Sequence, residues 1–241
     1  MNSDMPLNKY LAHSGVASRR EAVQLVVAGS VRVNGELVKE PGYRVKAKDQ
    51  VELRGMPVRA EKKIYLLLNK PRDCVATCRD ERGRRTVLSL LAGHVRQRVY
   101  PVGRLDRGTT GLLLLTNDGA LAQMLAHPKY EVEKRCRVTL DRPLAGDDGV
   151  RIKRGVRLVD GVVRVDALHR SVKRGDEVTI VLHSGKNRVV RRLFERLGYR
   201  VAKLDRIAYA GLSPRELPRG AWRPLTVAEI DRLRGSGADC C

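Results

Sequence analysis

The chain of 241 residues has no apolar run approaching the roughly 20 residues that a membrane-spanning helix needs, and no signal-like segment opens it. Its five cysteines, at 74, 78, 136, 240 and 241, form no even framework and no C-x-x-C pair. That pattern argues against a disulfide scaffold and against a zinc site. The last two follow "RGSGAD" and read as a frayed tail. Trp and Phe occur once each, and no basic helix carries them on an apolar face as a membrane-surface helix would. A cytoplasmic chain without membrane contact is the expectation.

Acidic residues are scarce as well: 27 Asp and Glu stand against 48 Lys and Arg, a net charge of +21. Residues 1–58 hold nine basic and six acidic side chains, so nearly all of the excess lies in the remainder. A folded body this positive attracts polyphosphates through its long-range field and through counterion release, which makes RNA or DNA the leading partner.

The length suits a small domain followed by a medium one. In the first, "LNKYLAHSGVASRREAVQLVV" has helical apolar spacing, Ser18 and Glu21 form a capping box, and Gly29 ends the second helix. "VRVNGELV" alternates around Asn34-Gly35, a hairpin signal, and "DQVELR" adds a strand. The expected division is 1–58, a linker at 59–63, a larger domain at 64–235 and a flexible tail at 236–241. In the larger domain "IYLLLNKP" suits a buried strand whose exit Lys70 marks, and "GLLLLT" is a second interior strand. "NDGALAQMLAHP" begins a helix, while "VEKRCRVTL", "VVRVDALHR" and "DEVTIVLH" alternate as strands. "NRVVRRLFERLG" is a helix capped by Asn187 and stopped by Gly198, and "YRVAKLDRIAYAGL" supplies a last strand or pair. Strands and helices do not alternate regularly, so the fold class is α+β with a mixed, mainly antiparallel sheet flanked by helices.

"YPVGRLDRGTTGLLLLTNDG" sets Asp106 between Arg104 and Arg107 just before a buried strand. On spacing alone it reads as an aspartate that accepts backbone N–H bonds in a turn. The motifs together read otherwise. "ASRREA" and "RVNGE" resemble an S4 RNA-binding domain. "GRLDRGTTGLLLLTNDG", "LLLNKPRDCVATCRDERGRRTV" and "GKNRVVRRLFERLGYRVAKLDRIAYAGLSPRELPRGAWRPLT" resemble the RsuA-type ribosomal RNA pseudouridine synthases.

That resemblance implies an intramolecular isomerase that turns a uridine of ribosomal RNA into pseudouridine, with Asp106 as the catalytic carboxylate and no metal or cofactor. It implies Arg191 as the cation facing Asp106, although periodicity does not separate Arg191 from Arg192. It gives Arg104 the place vacated by the flipped uridine, and it puts Cys136 where the family carries an active-site tyrosine. Tyr65, Tyr100 and Tyr130 are the candidate substitutes for that ring. Ser184 stands where relatives often have Glu. Lys186, Asn187, Arg188 and Arg192 are expected at the RNA, with Arg82, Arg84 and Arg85 as phosphate contacts, and Lys9, Arg19, Arg20 and Arg32 serve the S4 domain. A monomer acting on ribosomal RNA or a pre-ribosomal particle is expected, with the large subunit preferred. The rival reading is a non-catalytic RNA-binding or ribosome-assembly factor that keeps the fold. A zinc nucleobase deaminase is disfavoured because its H-x-E and P-C-x-x-C motifs are missing. A DNA-binding regulator is disfavoured because a hairpin follows the paired helices. On this placement Cys136→Tyr retains activity; a folded, inactive variant in a turnover assay contradicts it.

Overall fold

The computed structural model describes residues 4–235; the tail expected at 236–241, with Cys240 and Cys241, lies outside them. The described residues form two compact units: one is residues 4–64 with Val95–Arg98 and Asn117–Gly119, the other Tyr65–His94, Val99–Thr116 and residues 120–235.

In the first unit β1 (Met5–Pro6) leads into α1 (Leu7–His13), and α2 (Arg19–Val27) follows. Ser18 Oγ accepts from the Glu21 N–H at 3.2 Å while the Glu21 carboxylate accepts from the Ser18 N–H at 2.7 Å, so two orphan donors of the helix start are satisfied. Gly29, at a φ of 70°, turns the chain out of α2. β2 (Val31–Val33) and β3 (Glu36–Leu37) pair antiparallel across Asn34 and Gly35, both at positive φ, as a two-residue hairpin requires. β4 (Arg44–Val45) pairs with β1, β5 (Val51–Leu53) with β2, and β6 (Met56–Pro57) with β5. Leu7, Leu11, Ala22, Val26, Val31 and Val33 belong to this unit's own core. Residues 58–64 have no regular structure, and Asn117 ties them down: its Oδ1 accepts from the Ile64 N–H at 2.9 Å and its Nδ2 donates to Lys62 O at 3.0 Å.

The second unit is built on one sheet. Its strands are β7 (Tyr65–Lys70), β8 (Tyr100–Pro101), β9 (Thr110–Thr116), β10 (Lys134–Leu140), β13 (Ala167–Arg170), β14 (Glu177–Leu182), β15 (Val201–Tyr209) and β16 (Trp222–Pro224); β11 (Val156–Leu158) and β12 (Gly161–Val163) make a separate hairpin. The order is β13-β14-β10-β15-β9-β7-β16, with β8 also on β9. Every pairing is antiparallel except β15 with β9. The central strands β7 and β9 read as continuous apolar runs because both of their faces are covered. The helices are α3 (Gly119–Ala126), α4 (Gly146–Arg154), α5 (Val189–Arg196) and α6 (Val227–Gly235). Two cores follow, one around Leu67, Leu112, Leu114 and Leu125, the other around Val138, Ile180, Leu193 and Phe194.

Lys70 marks the exit of β7 as expected, and its side chain is fully buried there. Two expectations need correction. Asn187 does not cap α5, whose N-cap is Arg188 in the left-handed region with no side-chain cap; the glycine stop is as expected, with Gly198 and Tyr199 donating back to Glu195 O and Phe194 O. The segment "VVRVDALHR" is two strands, β12 and β13, belonging to different sheets.

The parallel pair β15–β9 sets Gly111 opposite Arg206. A Cβ on Gly111 would lie 2.3 Å from Arg206 O, and its φ is 107°, so only glycine fits. Gly111→Ala is expected to lower the unfolding free energy by about 3 kcal/mol or more in urea titration, since backbone must move; a loss below about 1 kcal/mol contradicts the close approach.

Candidate functional site

Asp106 sits in the loop that enters β9. Its backbone carbonyl accepts from the Thr109 N–H at 3.0 Å, closing a turn. Lys70 fixes that turn from below: Nζ donates to Thr109 O at 2.8 Å, Pro71 O at 3.0 Å and Arg107 O at 3.2 Å. A buried ammonium is tolerated only when its donors are matched, and three carbonyls match three N–H groups. Burial still pulls the Lys70 pKa down, to about 8.

The Asp106 carboxylate is about one-third exposed and faces two guanidiniums, Arg188 Nη1 at 3.6 Å and Arg191 Nε at 3.7 Å from Oδ2. Arg191 is mostly buried and is aimed by its bond from Nη1 to Val201 O at 2.9 Å. Arg188 also approaches Glu195, at 3.7 Å. Arg192 turns the other way, to Asp160 at 2.9 and 3.0 Å, and Lys186 Nζ donates to Asp160 O. Periodicity could not separate the two helix arginines; geometry does.

A cavity of about 170 Å³ opens beside Asp106. Its walls include Leu182, Val189, Leu204 and Val132, with Arg104, Lys134, Cys136, Arg206 and Tyr209 among the polar groups. β15 delivers three of these residues through a bulge. Cys136 pairs with Arg206 but Arg135 with Ala208, so Ile207 is extra, and the alternation that brings Leu204 and Arg206 inward resumes with Tyr209. Cys136 is buried, and burial pushes its thiol up to about 11, so it is a neutral wall and not a nucleophile at pH 7. Ser184 also lines the cavity, its Oγ accepting from the Lys186 N–H. Tyr65, Tyr100 and Tyr130 do not line this cavity; Tyr209 does, with its hydroxyl bonded to Leu125 O at 3.0 Å.

A wider cleft, about 710 Å³, shares the stretch Gly103–Asp106 and extends to Arg79, Arg82, Arg84, Asn187 and Arg188. Asp80 shapes the arginine loop by accepting from the Arg82 and Arg84 N–H groups and from the Arg84 guanidinium at 2.6 Å; those bonds hold its pKa down at about 2. Arg84 is therefore a brace. Asn187 and Arg104 are exposed at the cleft.

In the first unit Arg19 and Arg20 open α2 and are exposed, as is Arg32 on β2, whose guanidinium donates to Gly35 O. Burial lowers the His13 pKa, and the charges of Lys9, Lys63 and Arg19 push it the same way.

Thr109, Lys134, Arg206 and Tyr209 were not singled out in the sequence, and Lys70 was read only as the end of its strand. Lys70 and Arg206 did leave a signal, each being a cation inside an apolar strand pattern.

A family model described as RNA pseudouridylate synthase matches residues 64–196, and an S4 domain model matches residues 5–51. The chain is 43% identical over 233 residues to a ribosomal large subunit pseudouridine synthase B of Bacillus subtilis, covering 95% of each chain. It is 37% identical over 235 residues to an uncharacterized RNA pseudouridine synthase of Aquifex aeolicus, covering 95% of this chain and 94% of that one. A solved structure described as a pseudouridylate synthase superposes with a TM-score of 0.68 at 27% identity, covering 95% of this chain and 99% of that one.

Lys70→Met leaves three carbonyls without their donor, and the variant is expected to unfold at lower urea than wild type at pH 7. Because the folded Lys70 pKa of about 8 lies below its ordinary value of 10.5, the unfolded chain binds more protons between those values, and this group's contribution to stability rises with pH there. The urea stability of wild type relative to Lys70→Met should grow from pH 8 to 10; a gap that narrows contradicts the burial of the ammonium.

Proposed function

Because the chain belongs to the RNA pseudouridylate synthase family and carries an S4 domain, we propose that it isomerises a uridine of ribosomal RNA to pseudouridine, with Asp106 as the catalytic carboxylate. The observation that carries this reading is the pair of guanidiniums on one Asp106 oxygen beside an apolar-walled cavity. Two guanidiniums fixed at 3.6 and 3.7 Å attract the anion and hold it at the cavity.

The reaction breaks the N1–C1′ bond, rotates the base and rejoins it through C5. Asp106 has two ways to start it: attack at C1′, or removal of the C2′ proton. A stacked uridine cannot reach a recessed carboxylate, so the nucleotide is everted at a cost of a few kcal/mol, with Arg104 filling the space it leaves. Arg191 is the cation that faces the carboxylate, and Arg188 is a second one. Cys136 lines the base pocket where the family carries a tyrosine. The wider cleft, lined by Lys186, Asn187 and Arg188, suits the flanking RNA strand, whose phosphates these side chains meet, whereas Arg192, expected there too, is tied to Asp160. Lys9, Arg19, Arg20 and Arg32 serve an rRNA helix in the same way. The names of the relatives favour a large-subunit uridine. We further assign 1–58 to the S4 domain, 59–63 to a linker and 64–235 to a synthase domain that acts as a monomer in the cytoplasm.

The test is carbodiimide-stop mapping of ribosomal RNA from cells with and without the gene, and with Asp106→Asn. One stop is expected to vanish in the deletion and to stay absent with Asp106→Asn, while purified Asp106→Asn binds the RNA within about threefold of wild type, since a residue acting in the transition state need not change ground-state affinity. An unchanged stop pattern favours the ribosome-assembly reading, for which the missing tyrosine at Cys136 is the supporting observation.

A further inference from the structure

Four charged side chains are buried among the described residues: Lys70, Asp118, Arg206 and Glu229. Three of them are matched. Lys70 has its three carbonyls, Asp118 has Lys63 at 2.9 Å, and Glu229 has Arg223 at 2.7 Å. Arg206 is 5% exposed and has no carboxylate. Its Nε donates to Leu112 O at 2.7 Å, its guanidinium lies 4.3 Å from the centroid of the Tyr209 ring, and its Nη2 is buried without a hydrogen-bond partner. The adjacent carboxylate, Asp205, is engaged elsewhere, by Arg219 at 2.9 Å and Thr110 at 2.7 Å. Desolvation accordingly pushes the Arg206 pKa down.

A buried cation with unused donors weakens a fold, and a side chain kept for packing alone would do better as an apolar residue of similar length. The unmatched charge lies in the wall of the cavity that holds Asp106, and a second buried atom without a partner, Thr109 Oγ1, belongs to another residue of that wall. The bulge at Ile207 keeps Leu204, Arg206 and Tyr209 all on the cavity face of β15. The site is therefore short of one acceptor, and it is short of it where the base of an everted nucleotide would sit.

We propose that Arg206 is a catalytic residue whose free guanidinium N–H groups bond a carbonyl oxygen of the everted uracil and stabilise the negative charge that the base gains as it leaves the sugar. The proposal rests on the isomerase reading above and is independent of the two ways of starting it. When N1–C1′ breaks, its electron pair stays on N1 and spreads onto O2 and O4, while Asp106 either bonds C1′ or takes the C2′ proton. After rotation, C5 supplies the electron pair of the new bond to C1′, and Asp106 is released from C1′ or returns its proton to C2′. C5 then loses a proton and N1 gains one, so the product is an isomer. Between the two bond changes the base is an anion, and a preorganised cation in a water-poor cavity acts most strongly at that stage.

The test uses the full chain and two copies of one ribosomal RNA fragment, carrying uridine or 5-fluorouridine at the target position, with single-turnover glycosidic cleavage as the readout. Fluorine stabilises the same anion through the base itself. Arg206→Met is expected to melt within about 2 °C of wild type or above it, and to bind RNA within about threefold. On uridine it should cleave roughly 100-fold more slowly or worse, with a clearly smaller deficit on 5-fluorouridine. Equal deficits on both RNAs, or a melting point several degrees lower with a near-normal rate per folded molecule, make Arg206 a structural brace and overturn the proposal. If Arg206→Met does not fold, Arg206→Lys is measured on the same pair, and only a deficit that shrinks with fluorine supports the role. A wild-type chain without turnover contradicts the isomerase reading itself, and the proposal falls with it; an active wild type with a normal Arg206→Met contradicts Arg206 alone.

Discussion

The pairing of Asp106 with two guanidiniums beside an apolar-walled cavity is the constraint from which the rest of this molecule follows. Asp106 has Leu182, Val189 and Leu204 as neighbours in its cavity wall, and its charge is met by two guanidiniums at 3.6 and 3.7 Å. Arg191 and Arg188 come from the start of α5, and the carboxylate comes from the loop before β9. Between these two elements stands β15, paired to β9 on one side and supplying Val201 O to Arg191 on the other. The one parallel contact in the sheet is thus what registers the anion with its cations. Gly111 makes that contact possible, and Lys70 stops the loop from relaxing away from it.

The surplus of positive charge divides into two populations. Arg84, Arg192 and Arg223 are tied to Asp80, Asp160 and Glu229 at distances of 2.6 to 2.9 Å, and they brace loops. Glu229 and Thr226 also form a capping box at the start of α6, so the Arg223 bond and the helix start share one carboxylate. Scarce acids are spent on architecture. The arginines left exposed along the wider cleft are then available to phosphates, and Asp80 keeps their loop in shape without neutralising them all.

What could be read in the sequence was what local rules decide. Ser18 with Glu21, Asn34-Gly35, Gly29 and Gly198 each specify a backbone event within a few residues, and each occurs where the spacing predicts. The long apolar strands announced themselves for the same reason. α4 did not: "GDDGVRIKR" holds two glycines in nine residues, and its place is secured by distant groups, with Tyr199 Oη donating to Asp148 at 2.8 Å and accepting from the Ala145 N–H. "TVAE" at Thr226 was a local capping signal that went unread. In the site, Asp106 and its partner Arg191 came from motif resemblance, which carries no distances. Tyr209 joins Leu204 and Arg206 on the cavity face because of a one-residue bulge, and a bulge is set by the pairing of two strands far apart in the chain. Asn187 was misread as a cap because its type suits the role, while the backbone there puts Arg188 in the left-handed region.

The most direct test of the central claim is a crystal structure of the chain with a ribosomal RNA fragment that carries 5-fluorouridine at the mapped position. The account predicts an everted nucleotide in the cavity, its C1′ bonded to or within about 3.5 Å of an Asp106 carboxylate oxygen, with Arg191 still beside that carboxylate. A nucleotide left stacked in the RNA, or everted into a pocket away from Asp106, would contradict it.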